Sequence, residues 1–399
     1  MNKIIGPRPT MPPLEYLKNH RDECSWFPFN QSRCYYYYSA RYALAAGIKA
    51  LKLTVGDSVI LPSFNCGVEI EPFLHAGVTT DFYQIDCMLN TDINDLNKRI
   101  TGNVKAVLVT HFIGFPQPIE EIRKLCYDKG VYLIEDCAHA LLSSDDGVAL
   151  GSFGDIAVFS PLKTLPVLNG GILLINNDAI HWEHYPARPS RFSATYYYSD
   201  VMSQKTSAES PYIDVVEKVF YKLFSIMMNG AKYMIAITRK LFNLGGNCLV
   251  RPDSFDYRPT LVKWGISDAS MRIIKGAQLD RIKEVRRANF CRYLNHFLNE
   301  CPYGMTIPFK QIPDGVCPLF FPVIIEGDGD REKLYQALKH LGITTHPWWN
   351  TFHKAVKWDK YPDAVYLKKR MLGLPVHQDV DKQHIDYIIT SLRSVMYRK

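Results

Sequence analysis

The ten cysteines of this 399-residue chain include no C-x-x-C pair and form no metal-ligand cluster. They have no framework spacing, so a disulfide scaffold is not expected, and free thiols in a reducing cytoplasm are the simplest reading. The first residues, Met1-Asn2-Lys3-Ile4-Ile5-Gly6-Pro7, lack the hydrophobic core of a secretory leader. Lysine and arginine are scattered without a long basic block, and the formal net charge is +7, so nucleic acid is not implied. One apolar, cationic stretch, Val215 to Leu244, is too interrupted by Lys218, Lys222, Lys232, Arg239 and Lys240 to cross a bilayer. A helical pair packed on the subunit or its dimer mate is the favoured reading for it, ahead of a helix lying on a membrane surface.

What is present is enough chain for two or three domains with a large core. Apolar runs predict strands near residues 58–61, 79–83, 106–109, 131–134, 156–159 and 172–175. Helical spacing precedes them at residues 39–53 and recurs between two of them at 119–129. Alternation of this kind implies an α/β fold with a mainly parallel, doubly covered sheet, whose ligands sit at the carboxyl ends of strands. Residues 1–34 are Pro-rich and read as an N-terminal arm. A large domain is expected over residues 35–262, with a helical insertion at about 178–262. A smaller α/β domain is expected over residues 263–399, with a strand at 318–325 and a helix at 331–341.

The most informative stretch runs from Val131 to Asn177. Val131-Tyr132-Leu133-Ile134 ends in Glu135-Asp136, and small and polar residues follow, Cys137-Ala138-His139. A second apolar run, Ile156 to Phe159, leads through Ser160 to Pro161-Leu162-Lys163-Thr164. Asn169-Gly170-Gly171 then opens a third. An acid and a lysine at the carboxyl ends of successive buried strands suit pyridoxal phosphate (PLP). The lysine holds the cofactor aldehyde covalently, and the acid keeps the pyridine nitrogen protonated. Strand-end acids and lysines reaching solvent are also common, so the agreement of other segments decides.

Those segments resemble the DegT/DnrJ/EryC1/StrS family of PLP enzymes. Gly56-Asp57-Ser58-Val59-Ile60 with Leu61-Pro62-Ser63-Phe64 is similar to the family's "GDEVIVPSFT". His111-Phe112-Ile113-Gly114 is similar to "HLYG", and Glu135-Asp136-Cys137-Ala138-His139 to "EDAAQ". Ser160 to Gly171 resembles the serine, lysine and double-glycine segment. Gln278-Leu279-Asp280 to Arg286-Arg287 resembles "QLERL…RR", and Leu374-Pro375-Val376-His377 the late "LPLY". The likeness runs from about Tyr38 to Leu392. It implies fold type I of the PLP-dependent transferases, aspartate-aminotransferase-like, with a small C-terminal α/β domain.

The resemblance also implies roles. Lys163 is the cofactor lysine; relatives that dehydrate sugars carry histidine there, so lysine favours transamination. Asp136 is the partner of the ring nitrogen. His139 stands where the family usually has glutamine, near the ring hydroxyl. Ser39, Ala40 and Arg41 match Ser-Gly-Thr at a helix start that grips the phosphate, with arginine in place of threonine. Ser160 is expected to donate to the same phosphate. Cys66 occupies the position of the aromatic residue that stacks on the ring, which leaves Phe64, His111 or Phe112 to cover it. Ser267 falls where an asparagine reaches the partner subunit's phosphate. His346-Pro347-Trp348-Trp349 lies near the substrate side, with core packing the favoured reading of the tryptophans. Tyr35 to Tyr38 either line the cleft or anchor the arm.

The expectation is therefore a homodimeric, cytoplasmic PLP-dependent aminotransferase with a shared active site. It would move an amino group from glutamate to a nucleotide-linked keto-sugar for surface polysaccharide or glycoside synthesis. A sugar dehydratase and a non-catalytic regulator or assembly partner are the alternatives.

Overall fold

In a computed structural model of the chain, residues 5, 6, 8, 9, 24–189, 257–327 and 329–397 are described. Val215 to Leu244, and most of the expected insertion, lie outside the described residues. Among the described residues no helix is long and apolar enough to cross a membrane.

The first strands are β1 (Cys34–Tyr37), β2 (Ser58–Pro62), β3 (Thr79–Tyr83), β4 (Val104–Thr110) and β5 (Tyr132–Asp136). A short hairpin of β6 (Ser144–Asp145) and β7 (Val148–Ala149) precedes β8 (Ile156–Phe159) and β9 (Gly171–Ile175). Seven of these form one sheet in the order β1-β9-β8-β5-β4-β2-β3. Pairing is parallel from β3 through β8 and antiparallel at β8–β9 and β9–β1. Strands β2, β8 and β9 are buried at every residue. This is why they read as continuous apolar runs rather than alternating ones.

Helices α1 (Ala40–Ala50), α2 (Ile70–His75), α3 (Ile93–Arg99), α4 (Ile119–Lys129) and the single turn α5 (Pro161–Thr164) connect the strands. Helix α4 stops at Gly130, whose left-handed φ of 66° closes the last turn. The tyrosine run is an edge strand: Tyr35, Tyr36 and Tyr37 form β1, paired with β9. Tyr37 is fully buried and Tyr35 donates its hydroxyl to the Trp182 carbonyl.

The later strands, β10 (Met305–Thr306), β11 (Phe320–Ile325), β12 (His346–Pro347) and β13 (Met371–Pro375), make an antiparallel sheet in the order β10-β11-β13-β12. With them go α6 (Asp268–Gly276), α7 (Leu279–Asn299), α8 (Asp330–His340), α9 (Pro362–Arg370) and α10 (Lys382–Met396). A reciprocal capping box of Asp381 and His384 starts α10. Part of the expected arm is tied down here. The Ile5 N–H donates to Gly342 and the Ile5 carbonyl accepts from Thr344, at 2.8 and 2.9 Å.

Candidate active site

Register places the acid. Asp136 is the last residue of β5, opposite Thr110 of β4 and Val158 of β8. It therefore projects at the carboxyl edge of the sheet. Strand β8 ends one residue before Ser160, and the antiparallel return into β9 passes through α5, which carries Lys163. A cavity of about 390 Å³ opens between them.

Asp136 accepts the Ala138 N–H on Oδ1 at 2.9 Å. Burial raises its pKa to about 6, against the pull of the Lys163 ammonium. Lys163 Nζ lies 6.0 Å from the centre of the Trp348 ring. At one end of the cavity Ser39, Ala40 and Arg41 bring the N-terminus of α1 to the wall. Ser39 and Ser160 precede α1 and α5, and neither hydroxyl caps its own helix. Gly171 makes this corner possible, because a Cβ there would lie 2.1 Å from Ser39 C and 2.2 Å from Ala40 N. Cys66 is on the wall too. Its Sγ–H and N–H donate to Glu69 at 2.8 and 3.1 Å, and burial raises the thiol pKa.

Of the residues expected from sequence, Ser39, Ala40, Arg41, Cys66, Asp136, Ser160 and Lys163 share this wall. His111, His139 and Ser267 do not. His111 is fully buried, and both of its ring nitrogens are engaged. Nδ1 accepts the Gln117 N–H at 3.2 Å, and Nε2 faces Glu135 Oε2 at 3.0 Å. Glu135 accepts further N–H groups from Gly151, Phe153 and Gly154, so His111, Glu135 and neighbouring Cys137 are part of a hydrogen-bonded core. His139 sits behind the tryptophans, its ring 4.8 Å from that of Trp348 and 5.3 Å from that of Trp349. Its Nδ1 accepts the Ile113 N–H, and burial, then Lys163, lowers its pKa well below the usual value. The imidazole is therefore neutral with its proton on Nε2. Ser267 caps α6 by accepting the Ser270 N–H and donates its own N–H to Asn169. Phe64 and Phe112 pack behind the wall against Trp349.

Two wall residues escaped the sequence reading. Glu69 is a second buried acid on the cavity. Arg286 was visible only as part of a double arginine. It is 1% exposed and donates to the carbonyls of Thr164, Leu319 and Pro318 at 3.1, 3.1 and 3.2 Å. The tryptophans, placed near the substrate side with core packing favoured, do both: Trp348 is 4% exposed in the core, and the pair stacks at 5.0 Å and lines the cavity.

The donor set suits PLP: an amine, a carboxylate across the cavity from it, and a helix N-terminus with two uncapped serines and an arginine for an anion. A sheet of this order with an acid and a lysine at its carboxyl edge defines the fold type I class of PLP-dependent transferases. The PLP form of a sugar aminotransferase described as putative, Spr1654 of Streptococcus pneumoniae, shares that fold. Its TM-score is 0.62 at 18% identity, covering 92% of this chain and 87% of that one.

The chain belongs to the DegT/DnrJ/EryC1/StrS aminotransferase family, whose model matches residues 31–189 and 267–393. It is 36% identical over 353 residues to the dTDP-4-dehydro-2,3,6-trideoxy-D-glucose 4-aminotransferase of Saccharopolyspora spinosa, covering 86% of this chain and 79% of that protein. It is 35% identical over 141 residues to the GDP-perosamine synthase of Vibrio cholerae. That match spans 35% of this chain and 38% of the synthase.

Proposed function

We propose that this chain is a PLP-dependent aminotransferase that moves an amino group, from glutamate, onto the ketone of a nucleotide-linked sugar. The observation that carries the reading is one cavity with Asp136 and Lys163 on its wall and the N-terminus of α1 at its end. The relatives matched over most or part of the chain act on sugar nucleotides by their names, which supports the substrate class.

Bound PLP would supply an aldehyde for amine exchange and a ring that withdraws electrons from the reacting carbon. Lys163 is given the covalent attachment of the cofactor and, once free, the carrying of the proton. Asp136 is given the ring nitrogen, which a carboxylate keeps protonated. Ser39, Ala40, Arg41 and Ser160 are given the phosphate. Cys66 is given a place beside the ring, where a thiol would contact it without stacking. His111, His139 and Ser267 act from behind the wall, His139 as a neutral imidazole against the tryptophans.

The same reading takes residues 35–262 as the cofactor domain, 263–399 as the small domain and 1–34 as an arm. It takes a homodimer with a shared site as the assembly, the cytoplasm as the place of work, and polysaccharide or glycoside synthesis as the destination.

The test is the visible spectrum of the purified protein, before and after borohydride, beside Lys163→Ala. The expected result is a cofactor band that borohydride abolishes and that the variant lacks. Loss of the lysine should also reduce turnover on the order of a thousandfold or more. No band, even after PLP is added, would sink the aminotransferase reading.

A further inference from the structure

Lys368 on α9 is 1% exposed, in a residue type that is rarely buried without a partner. Its ammonium donates to the carbonyls of Asn65 at 2.6 Å, Thr351 at 2.7 Å and Trp349 at 3.4 Å. Three acceptors match the three protons of an ammonium. The rings of Trp358, Phe352 and Phe64 lie 4.7, 5.5 and 5.9 Å away. Cation–π attraction at those distances offsets part of the lost hydration. Burial lowers the pKa to about 8, opposed by Cys66 and Glu69, so the group is mainly charged at neutral pH.

The three carbonyls come from two segments that no strand pairing joins among the described residues. Asn65 belongs to the loop after β2 that carries Cys66 and Glu69. Trp349 and Thr351 belong to the loop after β12, which walls the same cavity from the other side. Two further contacts run the same way. Thr351 Oγ1 donates to the Cys66 carbonyl at 3.4 Å, and His353 Nε2 lies 2.8 Å from Glu71 Oε1. Trp349 has a φ of 44°, a left-handed conformation unusual for a bulky residue. Its carbonyl is one of those Lys368 holds. Packing alone does not require an ammonium here, because burying a charge is less favourable than burying an apolar side chain of the same volume.

We propose that Lys368 is a positioning residue that ties the Trp348–Thr351 wall to the loop carrying Cys66 and so sets the opening through which substrate reaches Lys163. The substrate part of this statement rests on the aminotransferase reading. The tie itself does not.

The test uses the full chain with PLP, comparing the wild type with Lys368→Met and Lys368→Arg. Hydrogen exchange at residues 348–353 should quicken about tenfold in Lys368→Met, the size of one lost charged hydrogen bond. It should stay near wild type in Lys368→Arg, which keeps charge and donors. The borohydride-sensitive band should persist in both. L-glutamate is the probe for the substrate side. The concentration that half-saturates its bleaching of the band should rise about tenfold in Lys368→Met, with the maximal rate within about threefold.

Unchanged exchange in Lys368→Met overturns the proposal. Faster exchange with unchanged half-saturation overturns the positioning role. A wild type without a visible band overturns the aminotransferase reading and leaves the exchange result standing. The wild type also decides alone, should Lys368→Met fail to fold. Corrected for intrinsic rates, amides of residues 64–69 and 348–353 should open together, and opening rates more than about tenfold apart overturn the tie.

Discussion

The two walls of the cavity are built by different means. The sheet wall is set by backbone register: Asp136 faces Thr110 and Val158 on its neighbours, and Lys163 follows β8 by one short turn. The opposite wall is set by long side chains that reach carbonyls of distant segments. Arg286 holds Thr164 and Leu319, Lys368 holds Asn65 and Thr351, and His377 donates to Gly6 at 2.9 Å. A slip of register in the first would turn every residue to the other face. A change in the second alters one tie at a time. The chemistry of the acid and the lysine thus follows from topology, whereas the shape of the substrate side follows from two buried cations and a histidine that burial keeps neutral.

The largest break in that contrast is expected at the sheet wall. Asp136→Asn keeps size and register but removes the carboxylate, and turnover should fall about a thousandfold, on the order of 4 kcal/mol. The same carboxyl predicts a pH dependence. Burial holds its pKa at about 6, so the chain without cofactor loses the anion as pH falls through that value. PLP affinity should therefore drop below about pH 6, level off above it, and become flat there in Asp136→Asn. A wild-type affinity that does not change between pH 5 and 7 would deny Asp136 its role.

The next effect tests the other wall. Arg286→Met leaves three carbonyls without their donor, and unfolding in urea should show a loss of about 3 kcal/mol. A loss under about 1 kcal/mol would mean that the carbonyls find other partners and that the tie is dispensable. The smallest effect returns to the sheet. Gly171→Ala drives a Cβ against Ser39 and Ala40, and backbone there has little room to move, so about 2 kcal/mol of stability should be lost. PLP affinity should fall with it, since α1 must shift. Stability and affinity both unchanged would show that the corner is softer than its contacts.

The same contrast explains what the sequence could convey. Helix α4 was legible to its end residues, because its apolar positions recur on one face and Gly130 closes it. The strands that carry Asp136 and lead to Lys163 were legible because both faces of the sheet are covered and their apolar runs are unbroken. Tyr35 to Tyr37 were not read as a strand, since aromatic residues suit an edge strand, a cleft and an arm alike. Glu69 and Lys368 left no local signature, and Arg286 showed only as half of a double arginine. Lys368 and Asn65 are 303 residues apart, and Arg286 and Thr164 are 122 apart. Pairings at such separations are fixed by tertiary closure, which no window of a dozen residues contains. His111 looked like a ring contact for a related reason: its motif was visible, but the Glu135 and Gln117 that turn it away belong to other elements.

The division of the cavity between early and late parts of the chain has a consequence for synthesis. Lys163 leaves the ribosome well before Trp348, which follows roughly 185 residues later, on the order of 10–40 s at about 5–20 residues per second. During that interval the sheet can fold around its own core, yet its lysine stands in a half-open trough without the tryptophans, Arg286 or Lys368. The cavity around Lys163 is thus completed only when the last third of the chain arrives, so the order of elements along the sequence sets when that side chain becomes enclosed.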